Sequence, residues 1–588
     1  MTNLPLEIPP GFVKVDSPNA GQGRYTDGDK IRFVKGKPEK WLGWASLLDQ
    51  MVTGKARGSV AWTNKYGNTN IGIGTHLKLY AITGNDTLAD ITPVRSTGTL
   101  AANPFTMVNA SSVVTVTHTA HGADDGDYVT FSGATAARGI TISGEYEITY
   151  VDANSYTITH SAAATSSGTG GGAAVTYAYQ INIGVADTVV GLGWGAGAWG
   201  RGTWGTPRPD GITVDLRHWS LCEYGNDLLS SPSGGSLYLW QEATDPVAQV
   251  VSGAPTSMRA MFVTGERFVF ALGTTTPMTV QWPDQDDITN WTPAASNNAN
   301  TRTLQVGSKL VNGTPLVDGV NLVWTDTGLY VFQYTGSDFV YDSRLAGDNC
   351  GLVAPKAWTR IAGVAYWMTA QRFKMFNGSV QDIQNSEDVQ AWVFADMDPG
   401  QVAKTWCVYD KFNNQIRWGY CSHGSLTGEP DKYVDVDLDD FSWTTGTLDR
   451  TTGCLFRPSD ASMVMVDHNG AIYAHNETVN ADGAALESYI TFGLYALSRG
   501  EQVADVMGII PDCARQTGTL SFEVFTKDRP NSAANLDEAT TTLDAGEAIA
   551  DIRVTGRHFS MTVRSNEVDG DFRLGVVNLE VQPAGERR

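Results

Sequence analysis

His118 and His121 stand three residues apart in THTAHGADDGD, with Asp124, Asp125 and Asp127 close behind. Imidazoles and carboxylates gathered this closely are the donor types of a divalent-metal site. The same residues also suit a solvated turn that opens a strand, and that reading is preferred. A calcium loop needs a longer run of oxygen ligands ending in glutamate, and none follows. A second acidic group, Asp284, Asp286 and Asp287, lies in WPDQDDITNW between Trp282 and Trp291. Paired carboxylates carry glycoside hydrolysis, and a sialidase adds arginines that clamp the sugar carboxylate. No arginine triad and no repeated S-x-D-x-G-x-T-W turn accompanies these aspartates, so they are expected to cap a turn. Nucleophile-elbow, Walker, HExxH and Rossmann patterns are absent. No catalytic, cofactor-binding or metal-binding residue is assigned, and the chain is not expected to be an enzyme.

The elements that would position any such residue are β-strands. From residue 58 onward a theme recurs: an apolar strand, a polar turn, then a strand rich in aromatics. It runs through SVAW with LKLYAI, and through HWSLCEYGNDLLSS with SLYLWQ. It returns in MRAMFVTGERFVFALG, NLVWTDTGLYVFQYTG, GVAYWMTAQRFKMFNG, WCVYDKFNNQIRWGYC and MVMVDHNGAIYAHN. Hairpin units at this spacing suggest a divergent β-propeller of six or seven blades; tandem β-sandwiches are the competing arrangement. Trp240, Phe268, Phe270, Trp324, Tyr330, Phe332, Trp367 and Phe376 fall at core-like strand positions rather than on a stacking surface.

Residues 96–179 break the theme with Thr, Ala, Ser and Gly and with clean alternation in VVTVTH, GEYEITYVDANSYTITH and AAVTYAYQI. They read as a small β-sandwich or barrel inserted into the first blade. Residues 480–588 alternate again, as a terminal β-sandwich or platform. The expected division is an N-terminal segment 1–45, propeller residues 46–95 and 180–479, the insert, and this C-terminal domain. In the first segment KIRFV reads as a strand, with TDGD and KGKPEK as turns.

Composition agrees with turn-rich, all-β structure. Of 588 residues, 63 are glycine, 10% are aromatic and only 18% are charged. The net charge of −22 argues against a broad nucleic-acid grip, which needs a basic surface, while allowing DNA to slide past. Six cysteines without a CxxC pair read as small hydrophobes in a reducing compartment. The first residues have prolines and acids where a signal peptide would have an apolar run. No segment approaches the length of a membrane span.

Residues 193–205 read GWGAGAWGRGTWG, with Trp194, Trp199 and Trp204 five apart. So much glycine excludes a helix, at about 1 kcal/mol each relative to alanine. Three indoles suit an ordered loop anchored in a groove. This run and three other stretches together resemble the tail nozzle, or packaged-DNA stabilisation, proteins of short-tailed bacteriophages. The others are GRYTDGDKIRFVKGKPEKWLGW near the start, LRHWSLCEYGNDLLSSPSGGSLYLWQ after the loop, and DIRVTGRHFSMTVRS with FRLGVVNLEVQPAGERR at the end. The insert is not matched.

The resemblance implies a structural protein of the virion tail, assembled in the host cytoplasm as a homo-hexameric ring below the portal and adaptor. It implies contacts with tail fibres or tailspikes and with the host envelope, and a lumen that retains and ejects DNA without binding it specifically. The insert is expected to dock fibres or form a tip. Arg24, Asp27, Arg32, Phe33, Trp41, Trp194, Trp199, Trp204 and Arg573 are the residues expected to serve structure and assembly; no cofactor is implied. The alternatives are a receptor-binding tail protein and a propeller-type glycan hydrolase. Trp199→Gly or Trp204→Gly is expected to remove several kcal/mol of packing. Normal thermal stability together with normal particle assembly in these variants contradicts the anchored-loop reading.

Overall fold

A ring of β-sheets has one weak point, the last sheet, which must be joined to the first. Here the strand that covers it comes from the other end of the chain. The computed structural model describes residues 2–14, 20–84, 87–188, 214–337, 339–457, 462–497 and 502–585. Among them the fold is all-β: a β-propeller, an inserted β domain and a terminal β-sandwich. Seven antiparallel four-stranded sheets build the propeller. Their inner strands are Ala56–Thr63, Trp219–Tyr224, Ala260–Val263, Leu310–Pro315, Trp358–Ile361, Trp406–Asp410 and Thr452–Arg457. These strands contact their neighbours in that order, and the last returns to the first. Between the fourth and fifth, Asn312 Nδ2 donates to the Pro355 carbonyl at 2.6 Å and Arg360 donates to the Pro315 carbonyl.

The seven hairpin themes fall one to a sheet, and the eight aromatics singled out above are all buried. The themes do not share a register. MRAMFVTGERFVFALG supplies the first and second strands of its sheet, whereas NLVWTDTGLYVFQYTG supplies the second and third. In the first sheet a strand was missed. Thr69–Thr75 separates SVAW from LKLYAI and pairs with both. Its glycines hid it, and packing requires one of them: a Cβ on Gly74 would lie 2.2 Å from the Trp219 ring.

The last sheet, Thr452–Arg457, Ser462–Val466 and Ile472–His475, takes its outer strand from Trp44–Ser46. Gly43 is required at this entry, because a Cβ there would lie 1.8 Å from the Asn480 carbonyl oxygen. The insert is two packed sheets of four and five strands from Val94 to Gln180 around Phe105, Val116, Val129, Phe131 and Tyr156. It lies between the first and second sheets of the ring, after the outer strand Thr87–Asp90, and not within a blade. An insertion there leaves every pairing of both sheets intact.

The N-terminal segment belongs to the terminal sandwich, whose two six-stranded sheets draw on both chain ends. Thr2–Leu6 pairs with Asp571–Gly585, and Tyr25–Asp29 pairs with Ser488–Phe492. TDGD and KGKPEK are therefore mostly strand. Only Lys35 and Gly36 turn the chain between Ile31–Val34 and Lys37–Lys40, both at positive φ as a tight two-residue hairpin requires. The one α-helix among the described residues is Glu387–Asp396, and no helix there is long and apolar enough to cross a membrane.

The ring closure contains a titratable group. His475 pairs with Trp44 across the last two strands, their rings 5.2 Å apart, and its Nε2 accepts from Arg450 Nε at 3.1 Å. Burial, then the charges of Arg450 and Arg417, hold its pKa well below the ordinary value. A neutral ring in the fold and a basic one in the unfolded chain give stability that is present above about pH 6.5 and lost on acidification. Burial also lowers His76, to about 4, and His218, to about 3. The apparent Tm is expected to fall between pH 7 and pH 5, each histidine adding up to about 1.4 kcal/mol per pH unit. His475→Gln is expected to flatten that slope; an unchanged slope would exclude the closure as its source.

Candidate functional site

The residues singled out near the two chain ends gather where the terminal sandwich meets the propeller. Glu39, on the short strand Lys37–Lys40, is the centre of the group and is almost fully buried. Arg32 Nη2 lies 2.6 Å from its Oε1, Arg515 Nη2 lies 3.3 Å from the same oxygen, and Arg573 Nε bonds Oε2. Burial alone would raise this carboxyl. The guanidiniums of Arg32, Arg573 and Arg515 outweigh it and hold the pKa below the usual carboxylate value. Arg32 also bonds Asn413, in the turn of the Trp406–Asp410 hairpin, so the clamp reaches from the sandwich into the propeller.

The other candidates extend that junction. Trp41 lies face to face with the Arg417 guanidinium, 3.5 Å from ring centroid to carbon, and 4.4 Å from the Tyr433 ring. Arg417 is in turn bonded to Asp435 through two nitrogens, at 3.0 and 2.8 Å. Phe33 packs within the sandwich against Tyr25 and Phe12. Arg24 reaches Asp388 at the start of the helix at 3.3 Å, and Asp27 bonds Lys14 and the Tyr489 hydroxyl. Six of the nine candidates thus make contacts within the chain. Trp194, Trp199 and Trp204 lie outside the described residues.

Glu39, Arg417 and Asp435 were missed by sequence reasoning. Glu39 was hidden by reading KGKPEK as a turn. Arg417 and Asp435 face each other from adjacent strands, a pairing that only register reveals.

The two acidic groups considered for chemistry are occupied by turns. His121 accepts the Ala123 N–H at 3.0 Å while its other nitrogen bonds the Asp152 carbonyl, and His118 bonds the Tyr179 hydroxyl at 2.7 Å. Asp127 accepts from the backbone of Asp124 and Ile183. Asp287 caps Thr289, and Asp286 pairs with Arg267 at 2.6 Å. No cluster of metal-binding side chains occurs among the described residues.

A second concave feature is the space at the centre of the ring, about 600 Å³ and lined by all seven inner strands. That is room for a small organic molecule.

No family model and no curated protein matches the chain. Among solved structures it is similar to phage phi92 endosialidase, at 9% identity over 79% of this chain and 53% of that one, with a TM-score of 0.15. It is also similar to the exo-beta-1,3-galactanase of Phanerochaete chrysosporium, at 11% over 60% and 100%, with a TM-score of 0.22. A streptogramin B lyase aligns at 9% over 44% and 92%, with a TM-score of 0.25. The chain spans about half the length of the endosialidase chain it matches. Superpositions this loose carry no functional argument, and the fold description rests on the sheets themselves.

Glu39→Gln leaves three guanidiniums facing a buried site without their counter-charge. Losing one partner of such a group costs about 3–5 kcal/mol. The expected result is an earlier denaturant transition and faster proteolysis of the terminal sandwich; wild-type behaviour in both assays would reduce the clamp to a surface ion pair.

Proposed function

We propose that this chain is a structural component of a short-tailed phage virion, a tail nozzle subunit that assembles as a hexameric ring and bounds the exit path of packaged DNA. One observation carries the reading. The opening and closing stretches that resemble the nozzle family pack against each other and are joined by an ion pair, Glu39 with Arg573, 534 residues apart in sequence. Both motifs then have one task, building a sandwich of two chain ends rigidly docked on the propeller. Such a unit suits a ring platform, because neither end can move without the other.

The same reading fixes where DNA passes. The centre of the propeller, at about 600 Å³, suits a small molecule and not a duplex. The DNA path therefore lies between copies of a chain whose net charge is −22. An acidic wall does not gain the counterion release that makes basic proteins hold DNA.

Negative-stain microscopy of the purified protein, and of virions labelled with an antibody to it, tests the proposal. A six-membered ring or tube on the tail axis is the expected result. Trimers at the tail periphery would favour a receptor-binding protein and sink the proposal. Hydrolysis of host polysaccharide by the monomer would favour an enzyme.

A further inference from the structure

We propose that the central cavity of the propeller binds a small oxyanion of the phosphate class, held between Lys356 and Arg360. The inference is independent of the tail reading.

The cavity wall carries three charged side chains, Lys356, Arg360 and Glu223. Lys356 lies just before the fifth inner strand, bridged to Trp406, and Arg360 lies on that strand, Trp358–Ile361; both line the cavity. Lys356 reaches across the ring. Its Cε lies 3.4 Å from where a Cβ on Gly58 would sit, against the inner strand of the first sheet. Arg360 spends one nitrogen on the Pro315 carbonyl.

The half-buried Lys356 ammonium has no carboxylate or hydrogen-bond partner among the described residues. The cations buried nearby are treated differently. Arg57 meets Glu429 at 2.7 Å, Lys404 meets the same carboxylate at 3.2 Å, and Arg417 is bonded to Asp435. A half-buried charge without a counter-charge is less well solvated than one in water, and a bound anion offsets that loss.

The rest of the wall suits the same guest. The Ser220 hydroxyl oxygen accepts the Met261 N–H at 3.2 Å, which leaves its proton to donate. Glu223, the one carboxylate on the wall, makes no ion pair among the described residues and leaves the wall net positive in a protein of charge −22. Local charge opposite in sign to the whole molecule concentrates small anions while the outer surface repels polyanions.

The titratable groups that interact with the Lys356 charge are the Cys222 thiol and His218, with Arg360 and Glu223 elsewhere on the cavity wall. Burial pushes Lys356 down to about 8. Its charge, and with it the affinity for an anion, is therefore lost as pH rises through that value. Sulfate keeps a constant charge across this range and isolates the protein's contribution.

Calorimetric titration of the full chain with sulfate and with inorganic phosphate, at ionic strength held constant with chloride, tests the site. Saturable binding near one ion per chain is expected, weaker at pH 9 than at pH 7. Lys356→Met is expected to weaken it by about tenfold or more and Arg360→Gln by less, with Glu223→Gln strengthening it. Glycerol 2-phosphate separates the sources: tighter binding than inorganic phosphate identifies a phosphomonoester ligand, weaker binding the free ion. No saturable heat with either ion overturns the proposal. So does affinity unchanged by Glu223→Gln, a variant on an exposed side chain that leaves the fold intact, and by Lys356→Met.

Discussion

The structure depends on closing a ring with a strand from the far end of the chain. Six of the seven sheets are built from consecutive hairpins and form locally, but the seventh stays three-stranded until Trp44–Ser46 arrives. That pairing joins positions more than four hundred residues apart, so its loop-closure entropy is met late, after the other sheets have formed. Once made, it ties the last sheet to the first, because Trp44–Ser46 leads directly into Ala56–Thr63. It also brings the first forty residues alongside the chain as it leaves the propeller, with the Gly43 and Asn480 backbones touching. The terminal sandwich is a consequence: strands from both ends are already adjacent and share one core around Phe33, Ile490, Phe522, Phe559 and Leu579.

Charge is handled in two ways within this frame. At the sandwich junction a buried carboxylate gathers three guanidiniums, and on the neighbouring blade the Arg417–Asp435 pair is sealed beneath Trp41. Such groups add little net stability relative to apolar packing, but they penalise any docking that leaves one member unpaired. They therefore specify how the sandwich sits on the propeller. In the ring centre the rule is reversed, and Lys356 is left without a counter-charge. Buried Arg57, Lys404 and Arg417 each meet a carboxylate, whereas Lys356 faces the space at the ring centre without one.

How much of this was legible follows from range. Hairpins are local, and apolar alternation with turn chemistry revealed one in each sheet, along with the burial of their aromatics. Which strands of a sheet a hairpin supplies is decided by neighbours, so register within the blades was not legible. Thr69–Thr75 was hidden because its inward positions are glycines that make room for Trp219, an interaction written elsewhere in the chain. The Lys37–Lys40 strand was hidden because Pro, Lys and Gly normally mark turns; it is a strand because Ile31–Val34 and the C-terminal strand pair with it. Glu39 shared that fate, and its importance lies in arginines at 32, 515 and 573 that no local pattern connects.

The placement of the insert follows the same logic of constraint. An extra domain within a blade would separate two strands that must pair, whereas one between blades lengthens only a connection, at a cost that grows slowly with length. The insert leaves after the outer strand Thr87–Asp90, and its own ends, Val94–Thr99 and Thr176–Gln180, pair with each other. The chain thus departs from and returns to the same spot, and the two sheets of the insert close around their own core without drawing on the propeller. Lys78, from the first sheet, meets both Asp90 and Glu145 of the insert, so the added domain is held in place by charge as well as by its stem. Paired ends fix the direction in which the added domain leaves the ring.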